Sequence, residues 1–249
     1  RMLRWLGRVV GHRQVQADPS YIAKLKDYQR PSSKEELWRY LGCCAWVVRY
    51  LPGAQLTLAP LYDLLAASTK KKPLVWDEKA LRAWEAMQQL VQHPKALAIP
   101  RAHQRYGIVV DASVGGWGAL LLQEGVEGKG DWRVVCMTAK RWKTKRDQEL
   151  AEQLGAKGAQ ESQAARPLEL RGLAAALKEW AVYTKNGRPI AVLTDHRPLA
   201  DKLRPQPHDS PSLRAVLGTI LSHHIEVEYL PGHKMPADWP SREGLQFAE

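Results

Sequence analysis

The chain is short of the features that mark secreted, zinc-bound or membrane-spanning proteins. It has three cysteines, two of them neighbours (Cys43 and Cys44), which offers neither a disulfide framework nor the ligand spacing of a zinc site. A reducing, intracellular compartment fits that usage. No apolar run approaches the roughly 20 residues needed to cross a bilayer, so no membrane partner is expected. What is present is ordinary globular stuff: 249 residues with 45% hydrophobic and 25% charged side chains, enough for one large domain or two small ones with real cores.

Charge is unevenly spread. The net charge is +11; residues 1–100 hold 16 Lys and Arg against 8 Asp and Glu, and the other 149 hold 21 against 18. A surplus of that kind attracts phosphate backbones whatever their sequence, although a basic soluble protein without a nucleic-acid partner has the same composition. Arg1, Arg4, Arg8 and Arg13 all precede the first acidic residue, Asp18, a superficial likeness to a mitochondrial presequence. The compartment therefore stays open between nucleus, cytoplasm and mitochondrion.

Local signals divide the chain into residues 1–100 and 101–249. Trp5–Val10 is short, partly β-branched and followed by Gly11, and reads as one strand entering a turn. Asp18-Pro19 opens a helix that Pro31 should end. Ser33 with Glu36 forms a capping box, and Leu37, Tyr40, Leu41, Cys44, Val48 and Leu51 repeat at helical spacing up to Pro52-Gly53. A short helix is expected over 60–67 and a loop at Lys70, Lys71 and Lys72. Asp77 caps a further helix, with Trp76 and Leu81 as a staple, Trp84, Met87 and Val91 behind, and His93-Pro94 closing it. This first module is basic and mainly helical.

Beyond a linker at 100–104 the periodicity changes to strands: Tyr106–Val110 ending at Asp111, then 117–123 and 132–138, with connections short enough for an antiparallel meander. Residues 143–165 carry little apolar periodicity and read as an insertion. A helix over 167–184 has Leu168, Leu170, Leu173, Leu177 and Trp180 on its inner face. A strand ends at Asp195, Ser210-Pro211 opens another helix, and 225–229 alternates as a last strand. The order β-β-β-α-β-α-β implies an α/β domain with a mixed five-stranded sheet flanked by helices.

Three acids in this pattern are placed to converge: Asp111 at the end of the first strand, Asp195 at the end of the fourth, and Glu169 in the first turn of the intervening helix, with Asp238 approaching from the C-terminal segment. Crowded carboxylates repel unless divalent cations neutralise them, and two Mg²⁺ ions about 3.5–4 Å apart suit phosphodiester hydrolysis. Singly, each acid has a plainer role. An aspartate at a strand end is usually a turn former, and a glutamate in a first helical turn complements the helix dipole.

The motifs around these acids resemble a known family. Val110-Asp111-Ala112-Ser113 with Gly116-Trp117-Gly118-Ala119-Leu120-Leu121-Leu122-Gln123, then Leu168-Glu169-Leu170, then Leu193-Thr194-Asp195-His196-Arg197-Pro198-Leu199, then Tyr229-Leu230-Pro231-Gly232-His233 through Asp238-Trp239-Pro240-Ser241-Arg242 follow the order of the RNase H domain in LTR-retrotransposon reverse transcriptases. Upstream, Leu6-Gly7-Arg8-Val9-Val10, Asp18-Pro19, 36–42 and 59–65 resemble, more loosely, the thumb and connection of gypsy-class or BEL-class polymerases.

The resemblance implies an RNase H-like fold behind a small thumb-like domain, and a partner that is RNA or an RNA/DNA hybrid. It also implies that Asp111, Glu169, Asp195 and Asp238 bind two Mg²⁺ ions for hydrolysis of the RNA strand, leaving a 3′-hydroxyl and a 5′-phosphate. Ser113 would contact the strand bearing 2′-hydroxyls, and His233 would act near the leaving group or in product release. Lys70, Lys71, Lys72, Lys140, Arg141, Lys143, Lys145 and Arg146 are the candidate backbone-binding cations.

Departures are visible too. No two aspartates are adjacent, so the palm's Tyr-x-Asp-Asp is absent and no polymerase activity is expected from this chain alone. Met235 stands where the family often has Asn, and 143–165 interrupts the path to Glu169. The absent polymerase core, the basic run Lys140-Arg141-Lys143-Lys145-Arg146, and Trp132 and Trp142 as exposed candidates, although the core is the commoner fate of tryptophan, support an alternative: a non-enzymatic RNA-binding subunit of a large ribonucleoprotein such as a mitochondrial ribosome.

Overall fold

A computed structural model describes residues 2–69, 73–102, 104–112, 114–125, 131–142, 145, 147–149, 152, 161–185, 187–194, 203–205, 207 and 209–229, without the side chains of 161–166, 194 and 229. Two compact units result, one built on Arg1–Ile99 and the other on Pro100–Ser241.

In the first unit Leu6 and Gly7 both take positive φ, 46° and 74°, the turn geometry whose twist matches a two-residue hairpin. Trp5–Val10 is therefore not the single strand expected. It folds back on itself, pairing β1 (Leu3–Trp5) antiparallel with β2 (Arg8–Val10). β3 (Gln14–Ala17) and β4 (Leu97–Ala98) complete a four-stranded sheet that local periodicity did not reveal.

Side chains begin the helices much as their spacing predicts. Asp18 accepts the Ser20 N–H at 3.0 Å ahead of α1 (Pro19–Lys26), which stops well before Pro31 on the Asp27 cap. Ser33 Oγ accepts the Glu36 N–H to open α2 (Lys34–Val47). The reciprocal half of the box is displaced by one residue, because Glu36 takes the N–H and hydroxyl of Ser32 at 2.8 and 2.9 Å. A 3-10 turn at Val48–Tyr50 replaces the helical continuation to Leu51. Then come α3 (Ala54–Thr57), which was not expected, α4 (Ala59–Ala67) and α5 (Glu78–Gln92), the last capped by Asp77 on the Ala80 N–H at 2.7 Å. Trp76 meets Trp84 edge-on with centroids 6.1 Å apart, Trp84 lies 4.6 Å from Tyr40, and Tyr40 5.1 Å from Tyr28. Of this file of four rings only Tyr40 is fully buried, in the unit's core with Leu37, Leu41, Leu61, Met87 and Val91, while the other three are half-buried.

The second unit contains the expected meander, β5 (Tyr106–Ala112), β6 (Gly116–Glu124) and β7 (Trp132–Arg141), and adds β8 (Ile190–Thr194) and β9 (Ile225–Tyr229) in parallel on the other side of β5. The sheet order is β7-β6-β5-β8-β9. Parallel neighbours need a crossover, and α6 (Glu161–Glu179) lies between β7 and β8 in the chain. One face of the sheet gathers Val109, Leu120, Leu122, Ala191 and Leu193, with Trp132, Val134 and Met137 packed against them. Full burial of such an aliphatic side chain stabilises by about 1.5–3 kcal/mol.

Leu168, Leu170, Leu173, Leu177 and Trp180 are buried as their spacing predicts. The helix bearing them is longer upstream than expected, starting at Glu161 with Pro167 inside it, since Gln163, Ala164 and Ala165 are strong helix formers. It stops at Glu179, before the short α7 (Ala181–Thr184). α8 (Pro211–Leu221) is capped by Ser210 Oγ, which accepts the Leu213 N–H at 3.3 Å. Among the described residues no helix is long and apolar enough to cross a membrane.

Candidate nucleic-acid and metal site

Asp111 does not end its strand. It stands inside the β5 ladder opposite Gly118, and Ala112 still pairs with Trp117 beyond it. A turn-forming aspartate would follow the last ladder residue, so that plainer role falls away. Glu169 likewise lies in the body of α6, past Pro167, and not in a first turn where it would answer the helix dipole. Both side chains are half-buried.

A missing side chain brings their elements together. A Cβ on Gly172 would stand 2.8 Å from Val110 Cγ1, 3.3 Å from Ala112 Cβ and 3.5 Å from Trp117 Cβ. The helix therefore lies directly on the end of β5, a close approach that glycine permits. Glu169, one turn before Gly172, is on the stripe of α6 that faces this strand end. Asp111 alternates with Val110 and Ala112, which places it on the other side of the pleat.

β8 is the parallel neighbour of β5, with Gly107 opposite Ala191 and Ile108 opposite Val192, so both strands point their C-terminal ends the same way. This is the adjacency that the convergence of Asp111 with Asp195 requires. Asp195, Asp238, His233, Ser113, Lys70, Lys71, Lys72, Lys143 and Arg146 lie outside the described residues. Among the described residues no three His, Cys, Asp or Glu side chains form a metal-sized group.

Of the basic run, Lys140 pairs with Glu179 at 2.6 Å, and Arg141 and Lys145 are exposed. Of the two fates open to Trp132 and Trp142, burial is the one observed. Trp142 is only 6% exposed, and Trp132 is half-buried against the aliphatic face of the sheet. Large apolar rings at strand ends gain more from burial than from a polar tip in water.

Three ion pairs were not anticipated. Arg171 Nη1 is 3.1 Å from Asp147 Oδ1, and Arg105, just before β5, reaches across to both Glu226 and Glu228 of β9. Burial opposes the Arg105 charge, but hydrogen bonds and charge from Glu228 and Glu226 outweigh it and raise its pKa. The Glu-Val-Glu alternation of β9, which puts two carboxylates on one face, was the available hint.

A mixed five-stranded sheet with its crossover helix clasped on the central strand is the RNase H-like arrangement, and residues 76–153 match the family model described as "RNase H-like domain found in reverse transcriptase". The resemblance to retrotransposon reverse transcriptases holds in sequence and in fold as well. The Pol polyprotein of transposon opus from Drosophila melanogaster is 23% identical over 92% of this chain, and that of transposon gypsy from the same fly is 22% identical over 98%. In each case the chain spans 22% of the relative's length. Among solved structures, the foamy viral protease-reverse transcriptase dRH in complex with double-stranded DNA superimposes with a TM-score of 0.67 at 15% identity, over 92% of this chain and 38% of that one. The foamy viral protease-reverse transcriptase in complex with an RNA/DNA hybrid gives 0.60 at 13% identity, over 92% and 29%.

Proposed function

We propose that the α/β unit, residues 101–249, binds RNA paired to DNA and hydrolyses the RNA strand with two Mg²⁺ ions, while residues 1–100 serve as a basic, thumb-like grip on the duplex. One observation carries this reading: Asp111 stands in the ladder of the central strand, where folding gives it no capping role, and the helix of Glu169 is seated on that same strand end. The oxygen donors suit a hard cation such as Mg²⁺. Asp111 and Glu169, joined by Asp195 and Asp238, would hold the metals, which supply activation of the attacking water and neutralisation of the leaving oxygen.

The chain's own residues have definable tasks. The Gly172 clasp fixes the helix of Glu169 against the strand of Asp111, with the two acids on opposite sides of the strand's pleat. Ser113 contacts the 2′-hydroxyl strand, His233 assists at the leaving group or in product release, and the lysines and arginines of 70–72 and 140–146 neutralise backbone phosphates. The hybrid held by the foamy viral neighbour supports the choice of substrate.

The test is cleavage of a labelled RNA/DNA hybrid by the purified chain in Mg²⁺. Cutting is expected to leave 3′-hydroxyl and 5′-phosphate ends and to fall to background in Asp111→Asn. Tight hybrid or RNA binding without cutting at any Mg²⁺ concentration would remove the hydrolysis and leave a non-enzymatic RNA-binding subunit.

A further inference from the structure

A cavity of about 410 Å³ opens where β6 and β7 meet α6. Trp117 and Trp142, both nearly buried, give it apolar walls, and the cations Lys140, Arg141, Arg171 and Lys178 line it. Trp117 is paired with Ala112, the residue after Asp111, so the cavity adjoins the strand end that carries the candidate site.

Its charges are partly occupied by the protein itself. The Arg171 side chain is 15% exposed, set deep in the wall, and its guanidinium faces the carboxylate of Asp147 at 3.1 Å. Asp147 belongs to the short helical stretch 147–149, whose next residue, Gln148, donates its amide to the Trp142 carbonyl at 3.0 Å. A carboxylate on a recessed guanidinium uses the same planar donor fork that a phosphodiester uses.

We infer that this cavity is a phosphate subsite for a nucleic-acid backbone and that Asp147 is its built-in competitor, occupying Arg171 until a phosphate displaces it. The inference rests on the nucleic-acid reading above and adds a restraint on affinity to it. Hybrid binding is then weaker than the cations alone would give. Removing the carboxylate spares the hybrid the work of displacing it, so affinity rises while the number of phosphates contacted, and with it the slope of log K against log salt, stays the same.

The test measures binding of a fluorescent RNA/DNA hybrid across a salt series. Asp147→Asn, which preserves shape, is expected to tighten binding about 5- to 10-fold at low salt with the slope against salt unchanged. Glu149→Gln makes the same change in net charge at an exposed position outside the cavity and should move affinity less than about 2-fold by long-range screening alone. The gain should vanish when Asp147→Asn is combined with Arg171→Gln, or with Arg171→Lys, which keeps the charge but loses the fork.

Equal gains from Glu149→Gln, a gain that survives both Arg171 changes, or an Asp147→Asn protein no tighter than the wild type would each overturn the competitor while leaving hybrid binding intact. Failure of every protein, wild type included, to bind hybrid at low salt would overturn the proposed function along with it.

Discussion

In the first unit the carboxylates of Asp18, Glu36 and Asp77 each accept a backbone N–H where a helix begins. In the second, Asp111 is paired with Gly118 inside a strand ladder, and Glu169 lies well inside its helix. The first set is explained by folding, since a helix start leaves donors to be satisfied. The second set caps no helix, and it is there that we place the functional requirement.

Asp111→Asn sharpens this contrast most, since it is expected to abolish hybrid cleavage with no loss of stability in urea unfolding. A large loss of stability would show that the residue serves the fold after all. Leu122→Ala, in the fully buried face of the sheet, should destabilise the second unit by about 2–5 kcal/mol, read as a shift in the denaturation midpoint. Gly172→Val sets helix propensity against packing: losing glycine favours the helix by about 0.5–1 kcal/mol, but a branched side chain 2.8 Å from Val110 costs about 1–3 kcal/mol. Packing wins, so the variant should be less stable and lose cleavage out of proportion to that loss. Asp77→Ala should cost about 1 kcal/mol in the first unit and leave cleavage unchanged at low temperature.

Acid should separate the units most gently. Hydrogen bonds from the Ser20 backbone and side chain lower the pKa of Asp18, and those from Ser32 lower that of Glu36. A depressed carboxylate contributes stability that is present above the ordinary values of 3.8 and 4.5 and lost as pH falls through the lower folded ones. Melting followed by tryptophan fluorescence should therefore show the first unit weakening below about pH 4. Acid-insensitive melting of that unit would count against the caps.

The caps were readable because each is a side chain next to the backbone it serves. So was the sheet, because strand and helix periods alternate in the order a crossover fold needs. The hairpin at Leu6-Gly7 was hidden by a leucine at positive φ, a conformation that favours glycine or asparagine. β4 was hidden because its partner, β3, is near the other end of the unit. At the candidate site, the strand of Asp111 and the helix of Glu169 were read from the sequence but their bounds were misjudged, since the strand runs one residue further and the helix starts before its proline. The Asp147–Arg171 pair left no trace in local spacing because a stretch without periodicity separates its members.

The reach of Arg105 over β8 to the two glutamates of β9 has a practical consequence for anyone shortening this protein. Its side chain is 18% exposed with both partners in place, so a fragment ending before Ile225 would lose both ion pairs and leave the edge of β8 open. Such a fragment should precipitate or recruit a foreign strand. Strand β9 is a fastener for the segment that leads into β5, and any minimal version of the domain must keep both.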